Sequence, residues 1–172
     1  HTKDNPRLNG VIKAVAELAN WQQPIEGRFL GIAAHESFYS FVAEIAEVSV
    51  EDGKLVVHKV YCAVDCGVVI NPDTVVAQME GGIIFGMTAA LYGNITVKDG
   101  MVEQTNCHNY QMVRMPESPE IEVVIVASEE KPTGVGEISV PPIAPAPAPG
   151  SGPGALGSNL GLPAADGRCH PG

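Results

Sequence analysis

The stretch FVAEIAEVSVEDGKLVVHKVYCAV, residues 41–64, constrains the fold more than any other part of this chain. Two runs rich in β-branched residues flank Asp52-Gly53, a dipeptide whose easy access to left-handed backbone suits a two-residue hairpin turn. Residues 41–50 and 55–64 therefore read as paired antiparallel strands. In the first run Phe41, Ala43 and Ile45 alternate with Glu44, and Glu47 follows, a pattern that predicts a sheet with one wet face.

Other elements gather around this hairpin. Asn5-Pro6 supplies an N-cap and a proline at the first helical position, and Leu8, Val11, Ile12, Val15, Leu18 and Ala19 recur at helical spacing up to Trp21. Residues 29–34 and 121–127 read as further strands, and Asp99-Gly100 marks a second hairpin between 95–97 and 101–104. Pro116 and Pro119 bracket a loop. Asn71-Pro72-Asp73 opens a helix, TVVAQMEGGIIFGMTAALYG, that is apolar on all sides and is therefore expected to be buried. Gly81, Gly82 and Gly86 in it each cost about 1 kcal/mol of helix propensity. Close packing of another element and close approach of a ligand both account for such a cost. The resulting class is α+β: mixed or antiparallel hairpins packed with a buried, glycine-rich helix.

Charge and composition remove several functions. Ten basic residues stand against twenty acidic ones, a net charge of -10, so the basic face that nucleic acid requires is missing. No uninterrupted run of ~18 apolar residues occurs, and no transmembrane segment is expected. The chain starts at His1 and reads as a piece of a longer protein. Residues 1–146 form the folded part. From Pro147 to Gly172 glycine, proline and alanine dominate, and a disordered tail is expected.

No Ser-His-Asp order, phosphate-binding loop or His-Glu-x-x-His occurs. Cys62 and Cys66 end a β-rich run and read as small hydrophobes, because their spacing is not that of zinc ligands and no second pair follows. No metal ligand is assigned. His35, His58 and His108 lie in separate elements; His58 is expected to be solvated, and His35 is read as structural at the end of its strand. Glu137, in KPTGVGEISVPPIAPA, stands apart. Gly134 and Gly136 free the backbone for a tight turn, and Pro141 and Pro142 stiffen the exit. A poorly solvated carboxylate here has the raised pKa of a general base, whereas an ordinary turn leaves it a solvated Glu. The local pattern leaves both readings open.

Three motifs, GRFLGIAAHESF, CAVDCGVVINPDTVVAQMEGGIIFGMTAALYG and TGVGEISVPPIAPA, resemble the molybdenum-binding large subunits of the xanthine dehydrogenase and aldehyde oxidase family, especially its isoquinoline 1-oxidoreductase branch. The likeness runs from about Pro6 to Ala146 and corresponds to the C-terminal part of the family's molybdopterin-binding domain. It implies a hydroxylase that oxidises an aldehyde or N-heterocycle with oxygen from water. By motif, Glu137 matches the family's general base, Gln78 matches a glutamine set against the pterin, and Gly81, Gly82 and Gly136 lie close to the cofactor. The resemblance further implies a molybdopterin cytosine dinucleotide, [2Fe-2S] clusters on a partner subunit, the remainder of the large subunit, and a cytochrome c acceptor. It points to the periplasm over the cytoplasm. In such enzymes the cofactor carries the hard chemistry and the protein supplies base, orientation and electrostatics. The alternative is a catalytically silent fragment or structural subunit that needs other chains to bind the cofactor. The alanine-rich helix that normally follows in the family is replaced here by the sequence after Ala146.

Overall fold

The computed structural model describes residues 5–23 and 25–147, so all of the expected tail except Pro147 lies outside the described residues. Helix α1 (Pro6–Leu18) precedes three strands, β1 (Phe29–Ser37), β2 (Ser40–Glu51) and β3 (Lys54–Asp65). Helix α2 (Pro72–Tyr92), the short strands β4 (Val97–Lys98) and β5 (Met101–Val102), β6 (Glu120–Ile125) and the single-turn α3 (Val140–Ile143) follow.

The main sheet has the order β1-β2-β3-β6, with antiparallel β1–β2 and β2–β3 and a parallel β3–β6 pair. The class is α+β as expected, with one β3–α2–β6 crossover among the hairpins. The Asp52-Gly53 and Asp99-Gly100 turns form as read, both residues of each having positive φ. A third tight turn carries no such signal. Phe38 and Tyr39, at φ 53° and 61°, join β1 to β2, a conformation bulky residues rarely adopt. β1 consequently runs to Ser37, and His35 lies within it, opposite Val42.

Both faces of the sheet are covered, which corrects the expected wet face. Val11 and Val15 of α1 and its C-cap Ala19 pack with Phe41, Ala43, Ile45 and Ala63 on one side. Met79, Ile83 and Met87 of α2 pack with Val42, Val60, Cys62 and Val64 on the other, joined by Ile138 and Ile143. Alternation along β2 thus fills two cores, and Glu44 and Glu47 are both buried. Glu47 is paired with Arg28. Neither carboxylate oxygen of Glu44 has a hydrogen-bond partner among the described residues, and burial holds its carboxyl well above the usual range. Burial, and after it the nearby Glu44, also raises the thiol of Cys62, its cross-strand partner.

Helix α2 starts as predicted, with the Asn71 side chain accepting from the Thr74 N–H. By length and composition it is long and apolar enough to cross a bilayer, although no uninterrupted apolar run announces it. Here it is a core helix with one open side: Val75, Met79, Gly82, Ile83, Gly86 and Met87 are buried, while Gln78, Gly81 and Phe85 are exposed. Burial on all sides, the sequence expectation, is therefore incorrect. Uniform hydropathy reflects a packed face beside an exposed apolar one. His58 differs too: it is half-buried, and its Nε2 lies 2.7 Å from Ser49 Oγ.

Candidate functional site

A cavity of about 560 Å³ opens along the exposed side of α2. Gln78, Gly81, Gly82 and Phe85 of α2 form one wall, and Gly136, Glu137, Val140 and Pro141 form the other. All five residues singled out in the sequence for this purpose, Gln78, Gly81, Gly82, Gly136 and Glu137, thus meet at one site across more than fifty positions of chain. A Cβ on Gly136 would lie only 3.7 Å from Gln78 Nε2, so the two walls touch at this point.

The helix glycines divide by role. At Gly82 a Cβ would overlap Ser139 Oγ, and at Gly86 it would meet Ile143 and, at 2.7 Å, the carbonyl of Val140. These two let the segment after Glu137 and α3 press against α2. Around Gly81, by contrast, nothing among the described residues beyond the helix's own backbone and its chain neighbours lies within 4 Å of a Cβ position. Its missing side chain leaves the cavity floor as bare backbone, where a bulky ligand gains the closest approach. Of the two readings the sequence left open, packing accounts for Gly82 and Gly86 and leaves Gly81 unexplained.

Glu137 is carried by a strap fixed at several points. The Val68 N–H donates to Glu130 O at 2.9 Å, and the Thr133 N–H donates to Cys66 O at 3.0 Å. Gly67, at φ 76°, has no room for a Cβ beneath the Glu130 and Lys131 carbonyls. Beyond Glu137, Ile138 and Ser139 are fully buried, and the Val140 N–H closes a turn on Glu137 O at 3.0 Å. The Glu137 side chain itself is exposed, with no hydrogen bond or ion pair among the described residues. Of the two readings the local pattern left open, the described residues show the solvated one, because no described element covers the cavity side of the carboxylate. Sequence reading missed Ser40 and Ser139, whose partners lie 93 and 60 residues away and leave no local signature. It also missed Phe85, whose exposure on an apolar helix shows only once the packed face is known.

The site has the makings of a large-ligand cradle. It combines a side-chain amide able to donate and accept, a bare backbone floor, an aromatic edge and a carboxylate without a partner among the described residues. A model of the molybdopterin cofactor-binding domain matches residues 13–119.

The chain belongs to that family.

The matched span holds Gln78, Gly81 and Gly82, and Gly136 and Glu137 lie beyond it. Over 152 residues, 85% of this chain and 20% of the relative, it is 38% identical to the beta subunit of isoquinoline 1-oxidoreductase from Brevundimonas diminuta. Over 167 residues, 85% of this chain and 14% of the relative, it is 30% identical to a nicotinate dehydrogenase subunit from Pseudomonas putida. In fold it is similar to the Cu,Mo-CO dehydrogenase, with a TM-score of 0.56 at 23% identity over 62% of this chain and 14% of that one. The chain therefore spans about a fifth or less of the length of the relatives it matches.

Proposed function

We propose that this chain forms one wall of a molybdenum-cofactor site in an oxidoreductase that hydroxylates an aldehyde or N-heterocycle with oxygen from water, and that Glu137 is its general base. The carrying observation is the convergence of Gln78, Gly81, Gly136 and Glu137 on one cavity in a chain of the molybdopterin-binding family.

The residues fit such a group. Gly81 presents open backbone where any side chain would intrude, and the Gln78 amide stands at the same rim as Gly136 with donors and an acceptor for a pterin edge. Gly82 and Gly136 border the cavity through backbone alone. When bound, the molybdenum pterin supplies two-electron redox chemistry at the reacting carbon. The work of this chain is positional: the α2 face seats the cofactor, Phe85 and Pro141 offer apolar walls, and the Glu137 carboxylate receives a proton at Oε1 or Oε2. No described residue neutralises that carboxylate, so it is free to act as a proton acceptor once the open side is closed.

The cavity's open side, with Phe85 66% exposed, supports a site completed by further protein, here assigned to the remainder of a large subunit. The isoquinoline 1-oxidoreductase relative is itself one subunit of its enzyme, which supports partner chains. We assign to them the [2Fe-2S] clusters and, downstream, a cytochrome c acceptor, with the cofactor in its cytosine dinucleotide form and the enzyme in the periplasm. The test uses the assembled enzyme containing this chain. Turnover in heavy-oxygen water should place the label in the product, and Gly81→Leu should lose most bound molybdenum while the fold is kept. Label drawn from dioxygen, or full molybdenum content in Gly81→Leu, would overturn the proposal.

A further inference from the structure

The Glu137 carboxylate has no partner among the described residues to fix it, yet a general base must be held within a fraction of an ångström of its proton. Its position is therefore set by the backbone on either side, and two fully buried serines grip that backbone. Ser40 Oγ donates to Gly134 O at 2.7 Å. Since that bond uses the serine's single proton, the 2.6 Å contact between Ser40 Oγ and Thr133 Oγ1 has Thr133 as donor. Five residues on from Gly134, Ser139 Oγ donates to the carbonyl of Met79 on α2 at 3.1 Å while its side chain fills the space above Gly82.

Ser40 is itself held rigidly. It follows the left-handed Phe38–Tyr39 turn, whose Tyr39 carbonyl accepts from Arg7 Nη1 at 3.2 Å, and Arg7 is locked on Asp65. Phe38 packs beside Gly134, with its Cβ 3.6 Å from a Cβ position there. The β1–β2 hairpin tip thus ends as a fixed hydroxyl aimed into the strap that carries Glu137.

We infer that Ser40 and Ser139 are positioning residues for Glu137, Ser40 setting the strap before it and Ser139 the strap after it, relative to the α2 wall. This inference rests on the reading of Glu137 as the base. Ser40 carries the larger share, because Gly134 O has no backbone partner among the described residues, whereas Met79 O belongs to a helix whose own hydrogen bonds remain.

The test again uses the assembled, molybdenum-loaded enzyme, with Ser40→Ala as the principal variant and Thr133→Val, which removes only the donor to Ser40, as a milder one. Exchange of the hydrogen-bonded Thr133 and Val140 amides, on either side of Glu137, should quicken roughly tenfold in Ser40→Ala and less in Thr133→Val, as local opening becomes easier. The same variants should lower kcat by about ten- to a hundredfold with KM nearly unchanged, the pattern of a misplaced reacting group. If Ser40→Ala does not fold, Thr133→Val and Ser139→Ala carry the same test. Unchanged exchange in the folded variants overturns the clamp. Faster exchange with intact kcat overturns its positioning role. Retained turnover in Glu137→Gln would instead overturn the underlying reading of the base, a result recognisable whatever the exchange shows.

Discussion

The space that a Cβ at Gly82 would need is occupied by the hydroxyl of Ser139. One turn of the strap after Glu137 and one turn of α2 therefore meet with no atom to spare, while the neighbouring Gly81 faces open cavity. Adjacent glycines in one helix consequently have opposite responses to the same change.

Gly82→Ala should destabilise the protein by about 1–3 kcal/mol, because the overlap is resolved only by displacing Ser139 or the helix. Gly81→Ala should be neutral or stabilising by up to about 1 kcal/mol, the usual gain in a helix interior. Thermal denaturation of the two variants side by side checks this. An equal effect at both positions contradicts the division of roles.

Glu44 leads to a pH prediction. Its carboxyl is fully buried, has no hydrogen-bond partner among the described residues and is held well above the usual range. The folded state thus keeps a proton that the unfolded chain gives up near the ordinary glutamate value of about 4.3. Stability from this group is greatest below that value and declines as pH rises through the window up to the raised folded pKa. Glu44→Leu should remove this decline and stabilise the fold by about 1–3 kcal/mol near neutrality, the scale of one unsatisfied buried polar group. Denaturant melts of both proteins across pH are the check, and an unchanged pH slope in Glu44→Leu would contradict it.

Asp65 works in the opposite sense. Burial raises its pKa, but the bidentate Arg7 pair, at 2.8 and 2.6 Å, and the Gly67 N–H at 3.1 Å outweigh burial and lower it. This stabilisation is fully present above the ordinary aspartate value and is lost as pH falls through the lowered folded pKa. Asp65→Asn should cost about 2 kcal/mol at neutral pH, in line with charge-assisted hydrogen bonds, and should weaken the acid-side fall in stability. Melts at acidic and neutral pH decide it.

Much of the fold was legible because its signals are local. Asp52-Gly53, Asn5-Pro6 and Asn71-Pro72 each act through a few neighbouring atoms, and each starts or turns the element expected. What stayed hidden depends on contacts distant in sequence. Glu44 looks like a surface residue until α2, α3 and the strap after Glu137 close over the second face of the sheet. The Phe38–Tyr39 turn contains none of the residues that favour left-handed backbone, so only the pairing of β1 with β2 imposes it. At the site, the motifs pointed to Gln78, Gly81, Gly82, Gly136 and Glu137, and the fold brings them to one cavity. The serines that hold the strap have no motif, and the exposure of Glu137 is a property of the assembled walls.

The role we propose for Glu137 is that of proton acceptor in a molybdenum site walled by α2 and the strap. Its most direct measurement is steady-state turnover of the assembled enzyme carrying Glu137→Gln, with molybdenum content determined on the same sample. Full molybdenum content with turnover lowered by at least about 10²-fold, the scale of a lost general base, is the expected result. Near-normal turnover at full molybdenum content would contradict it.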